Sequence, residues 1–527
     1  MAGDTQGLPA PPARVKIVID GQTHEVPAGV TILDACQRVG VKVPFFCWHP
    51  GLSAPAVCRQ CLVEIKGFSK PIPSCYTLVA DKMEISTNSP KVVDVRRQML
   101  EFTLLNHPID CPICDKAGEC MLQKHYFDWD ARLARNDGSK LRKAKVVDLG
   151  RHIVLDQERC ILCSRCIRVC NEVARQPDLV MAFRGDRQLL TTAPGQRLDN
   201  PYSLNTVDVC PVGALTAKDF RFSMRAWELW ATPSVCPGCA TGCNIEIHAA
   251  HNVIRRLVPR PNPAVNKYWM CDEGRMTYKR VHHNRLVAPM VVGAPTSWDA
   301  ALGEAARLLG SVRDKTPSTL GVVLSAQTTN ETLFAFSRLS SEGLRTDRVY
   351  LAGEGEGSAD DILVSADKNP NTTGTKLIGG PTLGTAADLK QDLETGVVTA
   401  LLVVGAVGVV DRFASLPTLV VLDSHQGPMV SAARVALPLA MWAEVDGSFT
   451  NRQGKVQRLR AALAPAGQSR PGWEIADQLG RALGATRRYA NAKQVFSEAC
   501  EKVTLMSGAD WGNPEIPVQL RFANSRG

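Results

Sequence analysis

Four groups of sulfur and imidazole side chains carry most of the chemistry this sequence can do. Cys47, Cys58, Cys61 and Cys75 are spaced C-x10-C-x2-C-x13-C, and His107, Cys111, Cys114 and Cys120 follow as H-x3-C-x2-C-x5-C. Cys160, Cys163, Cys166 and Cys170 read C-x2-C-x2-C-x3-C, with a Cys210-Pro211 pair forty residues on, and Cys236, Cys239, Cys243 and Cys271 read C-x2-C-x3-C-x27-C. Thiolates and neutral imidazoles at such spacings are ligands for zinc or for iron. The opening MAGDTQGLPAPPAR holds no apolar run of signal-peptide length, so residues 1–13 read as a disordered lead-in and the protein as cytoplasmic. Its 18 cysteines are then expected to stay reduced, which favours metal over a disulfide framework. Only Cys500 lies beyond residue 272, so the sequence divides in function there.

Each group narrows differently. Prolines and glycines among the first four cysteines make them loop ligands, for zinc or for [2Fe-2S] on spacing alone. The turn VCRQC can aim backbone N–H groups at bridging sulfides, which favours [2Fe-2S]. In the second group, the helical spacing of Val92, Val95, Met99 and Phe102 predicts an amphipathic helix that delivers His107 and stops before Pro108. A zinc site of three cysteines and one histidine fits here as well as a cluster does, a surface histidine is a third reading, and His125 is a rival ligand. The third group is the bacterial ferredoxin run for a [4Fe-4S] cube, in which the fourth cysteine is followed by proline. Asn171 follows Cys170 whereas Pro211 follows Cys210, so Cys210 is assigned as the fourth ligand and Cys170 as a non-ligand. The fourth group, after Trp227 and Trp230, suits another cube. Four metal sites of two ligand compositions imply a relay of single electrons, and no nucleophile or general base with a partner appears.

The elements that must position these groups are legible in part. RVKIVID and HEVP read as two strands joined by a Gly21-Gln22 turn, followed by a helix from Thr31 whose face of Ile32, Ala35, Cys36 and Val39 makes Cys36 a packed core thiol. Beyond residue 286, SWDAAL, LGVVLS, TTNETLFAF, ADKNPNT, ALLVVGA and LVVLD alternate helix and strand as doubly wound α/β folds do. The longest apolar run, Val397 to Val410, is too short to cross a bilayer and reads as a buried strand and turn. Gly353-x-Gly355-x-Gly357 reads as a flexible turn, because Glu354 and Glu356 would repel phosphate. The formal charge of +9 does not mark a nucleic-acid binder, since no basic run is interleaved with aromatics. The densest basic stretch, Arg132 to Arg151, is expected to face solvent or an acidic partner subunit.

The order of these motifs resembles the large iron-sulfur subunit of the peripheral arm of respiratory complex I, the G-type subunit of bacterial NADH-quinone oxidoreductase. The resemblance implies a multidomain α+β and α/β protein. A β-grasp [2Fe-2S] ferredoxin-like domain would span residues 14–92, a histidine-ligated [4Fe-4S] domain 93–145, a ferredoxin-like [4Fe-4S] domain 146–228 and a further [4Fe-4S] domain of molybdopterin oxidoreductase type 229–285. Residues 286–527 would form a shortened, inactive molybdopterin-oxidoreductase-like α/β domain, with AEVDGSFTNRQGKVQR similar to the family's C-terminal signature. The four groups would then hold one [2Fe-2S] and three [4Fe-4S] clusters, with His107, Cys111, Cys114 and Cys120 as one ligand set. The implied relay runs from [2Fe-2S] to the Cys160 cube to the His107 cube, with the Cys236 cube as a side branch. The implied partners are a flavin/NADH-binding subunit, a ferredoxin-like [4Fe-4S] subunit and other peripheral-arm subunits, on the cytoplasmic face of the inner membrane. A working molybdenum enzyme usually needs a metal-ligating Cys, selenocysteine or Ser in a pterin cleft; no cysteine lies between Cys271 and Cys500 and the domain is roughly half the length expected of all pterin-binding lobes, so no molybdopterin is expected. A formate dehydrogenase or hydrogenase-type iron-sulfur subunit, or a zinc scaffold, are the alternatives.

Overall fold

The computed structural model describes residues 13–129, 135, 138–405, 413–486, 488–503, 506, 509, 511–512 and 518–519. They form two compact units that meet in sequence at Trp227 and Glu228.

In the first unit, strands Arg14–Ile19 and Gln22–Pro27 pair antiparallel around Asp20-Gly21, both at positive φ as a tight hairpin requires, one residue before the turn expected from sequence. Helix Ile32–Arg38 opens on a capping box: the Thr31 hydroxyl accepts from the Asp34 amide and the Asp34 carboxylate accepts from Thr31. Strand Glu84–Ser86 lies parallel to the first strand and antiparallel to Leu62–Ile65, which completes a mixed sheet. Its core of Ile17, Ile32, Leu33, Val63 and Ile85 includes Cys36, fully buried with its thiol pushed up to about 12 by burial, as a packed thiol should be.

Helix Pro90–Leu105 ends at Asn106, just short of His107 as expected, but it turns a different face inward. Val92, Arg96 and Leu100 are buried, and Phe102 is 65% exposed. The reason is Arg96, which donates to the Leu62 carbonyl at 3.0 Å and lies 5.0 Å from the Trp129 ring, so its long side chain serves as core. The basic stretch faces solvent as expected where it is described, Arg132 lying outside the described residues, and its cations also find partners within the protein. Arg135 pairs with Glu101, Lys145 with Glu158 and Asp110, and Lys140 donates to the Leu104 and Leu105 carbonyls at the helix end.

A three-stranded antiparallel sheet places the third module. Ile153–Leu155 pairs with Leu215–Ala217, so the loop leaving the first strand toward Cys160 meets the one entering the second from Cys210.

In the second unit, strands Trp230–Val235 and Asn244–Ala250 are hairpin partners in which Val235 faces Asn244, which sets Cys236 beside Cys243. Five parallel strands follow in the spatial order Val349–Ala352, Leu320–Ser325, Ala400–Val404, Thr418–Asp423, Val435–Pro438. Helices Trp298–Lys315, Asn330–Arg338 and Gly472–Ala482 pack on one face and Ala386–Glu394 and Pro428–Ala432 on the other, the doubly wound arrangement expected. Ala400–Val404 is fully buried, while residues 406–410 of the same apolar run lie outside the described residues. The Gly353 turn is not loose: the Asn369 side chain accepts from the Glu354 amide at 2.8 Å, and Arg280 pairs with Glu354 at 2.7 Å. Among the described residues no helix is long and apolar enough to cross a membrane.

Candidate metal centres

At the first group, Cys47, Cys61 and Cys75 are fully buried and the four sulfurs hydrogen-bond one another. Hydrogen bonds from Cys58 and then Cys75 hold Cys47 well below the usual thiol range, and one from Cys75 holds Cys61 at about 7. The donors Cys58 and Cys75 are correspondingly raised. Ala56 and Arg59 adopt left-handed φ of 53°, which curls the VCRQC turn around the sulfurs, and the Phe46 amide reaches Cys58 Sγ at 3.4 Å. This is the inward-facing turn expected from sequence.

At the third group a small void is lined by Cys160, Cys163, Cys166 and Cys210 together with Met181, Leu190 and Val212. Cys170 is not among its walls: it is fully buried elsewhere, 4.0 Å from Asn200 Nδ2. Leu162 and Ser164 are left-handed, and the Leu162 and Arg165 amides point at Cys160 and Cys163. Burial pushes the Cys160 thiol up to about 12 and Cys163 to about 11, so only a cationic occupant would hold them as thiolates.

At the second group, Cys114 lies within electrostatic reach of Cys111 and of Cys120. An ion pair between Asp110 and Arg159, 2.8 Å apart, acts on both the Cys114 thiol and the His107 ring. Burial lowers His107 to about 4, so its imidazole is neutral, as a ligand must be, and its Nδ1 is buried with no hydrogen-bond partner among the described residues. His125 belongs elsewhere: its Nε2 lies 3.0 Å from the Phe45 carbonyl and its ring 5.0 Å from Phe46.

At the fourth group, Cys236, Cys239, Cys243 and Cys271 line a second void with Gly238, Gly274 and Met270. Cys271 caps helix Asp272–Met276, its sulfur accepting from the Gly274 amide at 3.3 Å. A Cβ on Gly274 would stand 2.9 Å from Cys236 Sγ and 3.3 Å from Cys271 Sγ, so only glycine leaves the void open.

The groups of the first unit are neighbours. The Met121 amide, next to Cys120, donates to the Pro211 carbonyl, next to Cys210, at 2.9 Å. Arg165 donates to the Trp48 and Val209 carbonyls, and Arg168 to that of Cys47.

The donor sets fit iron-sulfur clusters. Thiols surround the two voids, amide N–H groups converge on sulfur, and the buried His107 Nδ1 has no hydrogen-bond partner among the described residues.

Comparison with known proteins agrees. Residues 12–90 match the 2Fe-2S iron-sulfur cluster binding domain, residues 96–131 the NADH-ubiquinone oxidoreductase-G iron-sulfur binding region, and residues 150–216 the NADH-quinone oxidoreductase subunit 3, ferredoxin-like domain. The G subunit of NADH-quinone oxidoreductase from Streptomyces coelicolor is 37% identical over 344 residues, 64% of this sequence and 40% of that protein. The protein is a relative of the NADH-quinone oxidoreductase G subunits. The G subunit from Mycobacterium tuberculosis is 36% identical over 66% of this sequence and 44% of its own length. The mitochondrial NADH dehydrogenase [ubiquinone] iron-sulfur protein 1 of Solanum tuberosum is 35% identical over 66% and 47%. The matched region thus spans less than half the length of these relatives. A solved NAD+-reducing [NiFe]-hydrogenase structure matches at 28% identity and a TM-score of 0.38, over 41% of this protein and 92% of that one.

Residues 230–283 match the Molybdopterin oxidoreductase Fe4S4 domain and 382–482 the Molybdopterin oxidoreductase family. The second unit carries a cleft of about 300 Å³ at the carboxyl ends of its parallel strands. Its cations are already committed, Arg280 to Glu354 and Lys368 to Glu273 at 3.0 Å, and no cysteine lines it.

Sequence reasoning missed Arg165, Arg168, Gly213 and Gly274. The only signal was proximity in sequence to Cys166, Cys210 and Cys271.

Proposed function

We propose that the protein is an iron-sulfur electron-transfer subunit of a proton-translocating NADH:quinone oxidoreductase, within the peripheral arm. Its ligands would be Cys47, Cys58, Cys61 and Cys75 for [2Fe-2S], and three sets for [4Fe-4S]: His107 with Cys111, Cys114 and Cys120; Cys160, Cys163, Cys166 with Cys210; and Cys236, Cys239, Cys243 with Cys271. Such clusters supply one-electron carriers whose potentials follow net charge, hydrogen bonds and burial. The protein's own residues bury the thiols, aim amide N–H groups at sulfur and keep water out. The observation that carries the reading is the order of contacts in the first unit, from the Cys47 loop through Arg168 to the Cys166 loop, and from Pro211 to Met121 beside Cys120. That is a line of neighbours with the Cys160 set in the middle. Electrons would come from NADH through a flavin subunit and leave from the His107 set to a ferredoxin-like subunit on the way to quinone. The arm would stand on the cytoplasmic face of the membrane, the complex alone providing the membrane contact.

Removing the middle station tests this. In the assembled complex, Cys210→Ala should leave the [2Fe-2S] signal reducible by NADH while the His107-set signal no longer appears on the turnover time scale. Normal reduction of the His107 set without the Cys160 cube would refute the order.

A further inference from the structure

We infer that Arg165 and Arg168 are positioning residues shared by two centres, a buried cationic pair that ties the Cys47 loop to the Cys163–Cys166 loop and sets the potentials of both. The inference rests on the electron-transfer reading above. Both side chains lie on helix Arg165–Arg168 and flank Cys166, and they are only 4% and 8% exposed. Arg165 donates to the Trp48 carbonyl at 2.6 Å and the Val209 carbonyl at 3.0 Å; Arg168 donates to the carbonyls of Cys47 and Ser53. Cys47 is itself a candidate ligand, Trp48 follows it and Val209 precedes Cys210, so one short helix grips the backbone beside the ligands of two sites.

Charge gives the pair its second role. Neither guanidinium has a carboxylate partner among the described residues, and the Nε of each is buried without any partner. Two buried cations without counter-ions are costly unless negative charge stands nearby, and carbonyl dipoles alone offset little of that. A cluster held by four thiolates is anionic, and positive charge beside it favours the reduced form. Because the pair lies between two such sets, each arginine acts on both.

The test uses the whole protein in its assembled complex, with iron and acid-labile sulfide counted beside EPR redox titration of both centres. Arg165→Met and Arg168→Met should each lower the midpoint of the [2Fe-2S] centre and of the Cys160 cube together, with cluster content unchanged. Arg165→Lys, which keeps the charge, should restore most of the shift. If Arg165→Met fails to assemble, Arg168→Gln carries the same prediction, since it leaves Arg165 and its two carbonyl bonds in place. A shift confined to one centre, or unchanged midpoints at full content, would overturn the inference. Absence of both signals in the unmodified protein would sink the electron-transfer reading itself.

Discussion

Gly213 stands so close to Cys114 that a Cβ on it would come within 2.4 Å of the Cys114 sulfur. The glycine belongs to the Cys210-Pro211-Val212-Gly213 turn of one candidate centre, and the sulfur belongs to the next. Their contact packs two sites against each other with no intervening side chain. Gly213→Ala must therefore displace Cys114, since real Cβ atoms do not approach so near. The expected result is loss of most of the His107-set EPR signal, with the [2Fe-2S] signal unaffected. A full His107-set signal in the variant would show that the turn yields freely.

The two histidines separate by their bonds. Both rings carry a buried Nδ1 without a hydrogen-bond partner among the described residues, but the His125 ring is held through its Nε2 by Phe45; His107→Ala should therefore lose or degrade its cluster, whereas His107→Cys should keep a cube at lower potential, because the added thiolate charge disfavours reduction. His125→Ala should keep the cluster and cost roughly 1 to 3 kcal/mol of stability, the loss of a buried ring and its bond to Phe45. Thermal unfolding and EPR together decide, and cluster loss in His125→Ala alone would reverse the assignment.

Cys170 provides a control for the third set. It is buried away from the void, so Cys170→Ala should retain the cube and lose only about 1 kcal/mol from the small cavity left behind. Iron content measured on the purified variant checks this; a loss of about four iron atoms would make Cys170 a ligand after all.

Glu331 makes the second unit sensitive to pH. Its carboxyl is fully buried, and burial raises it from 4.5 to about 7 against the hydrogen bonds it accepts from the Ser448 hydroxyl and amide, its own backbone and Thr329. The folded state thus binds more protons than the unfolded state between those values, so stability falls as pH rises from about 4.5 to about 7 and is flat beyond. The effect is on the order of 3 kcal/mol at most. Glu331→Gln should remove it, so the difference in unfolding free energy between variant and parent should grow from pH 5 to pH 8 in the variant's favour. A pH-independent difference would mean that Glu331 is ionised in place without penalty.

The grouping of the cysteines was legible in their spacing, which the two cysteine-lined voids repeat. The assignment of Cys210 over Cys170 needed only the proline that follows it, and the VCRQC turn needed only the short interval between Cys58 and Cys61. What was not legible depends on partners remote in sequence. Nothing in the sequence marks Arg165 and Arg168 until their carbonyls at Trp48, Cys47 and Val209 are known. Phe102 keeps helical spacing with Val92 and Val95, yet Arg96 takes the inward place, because the Leu62 carbonyl and Trp129 ring satisfy a guanidinium there. The cations from Arg135 to Lys145 likewise found carboxylates and a helix end within the same protein.

The central claim is that the four groups hold clusters rather than single ions. Iron, acid-labile sulfide and zinc measured on the anaerobically purified protein, with low-temperature EPR of the reduced form, test it most directly. Four clusters, one [2Fe-2S] and three [4Fe-4S], give about fourteen iron atoms per molecule, matching sulfide, and separate signals for the two cluster types. Stoichiometric zinc, with little iron and no EPR signal on reduction, would contradict the account.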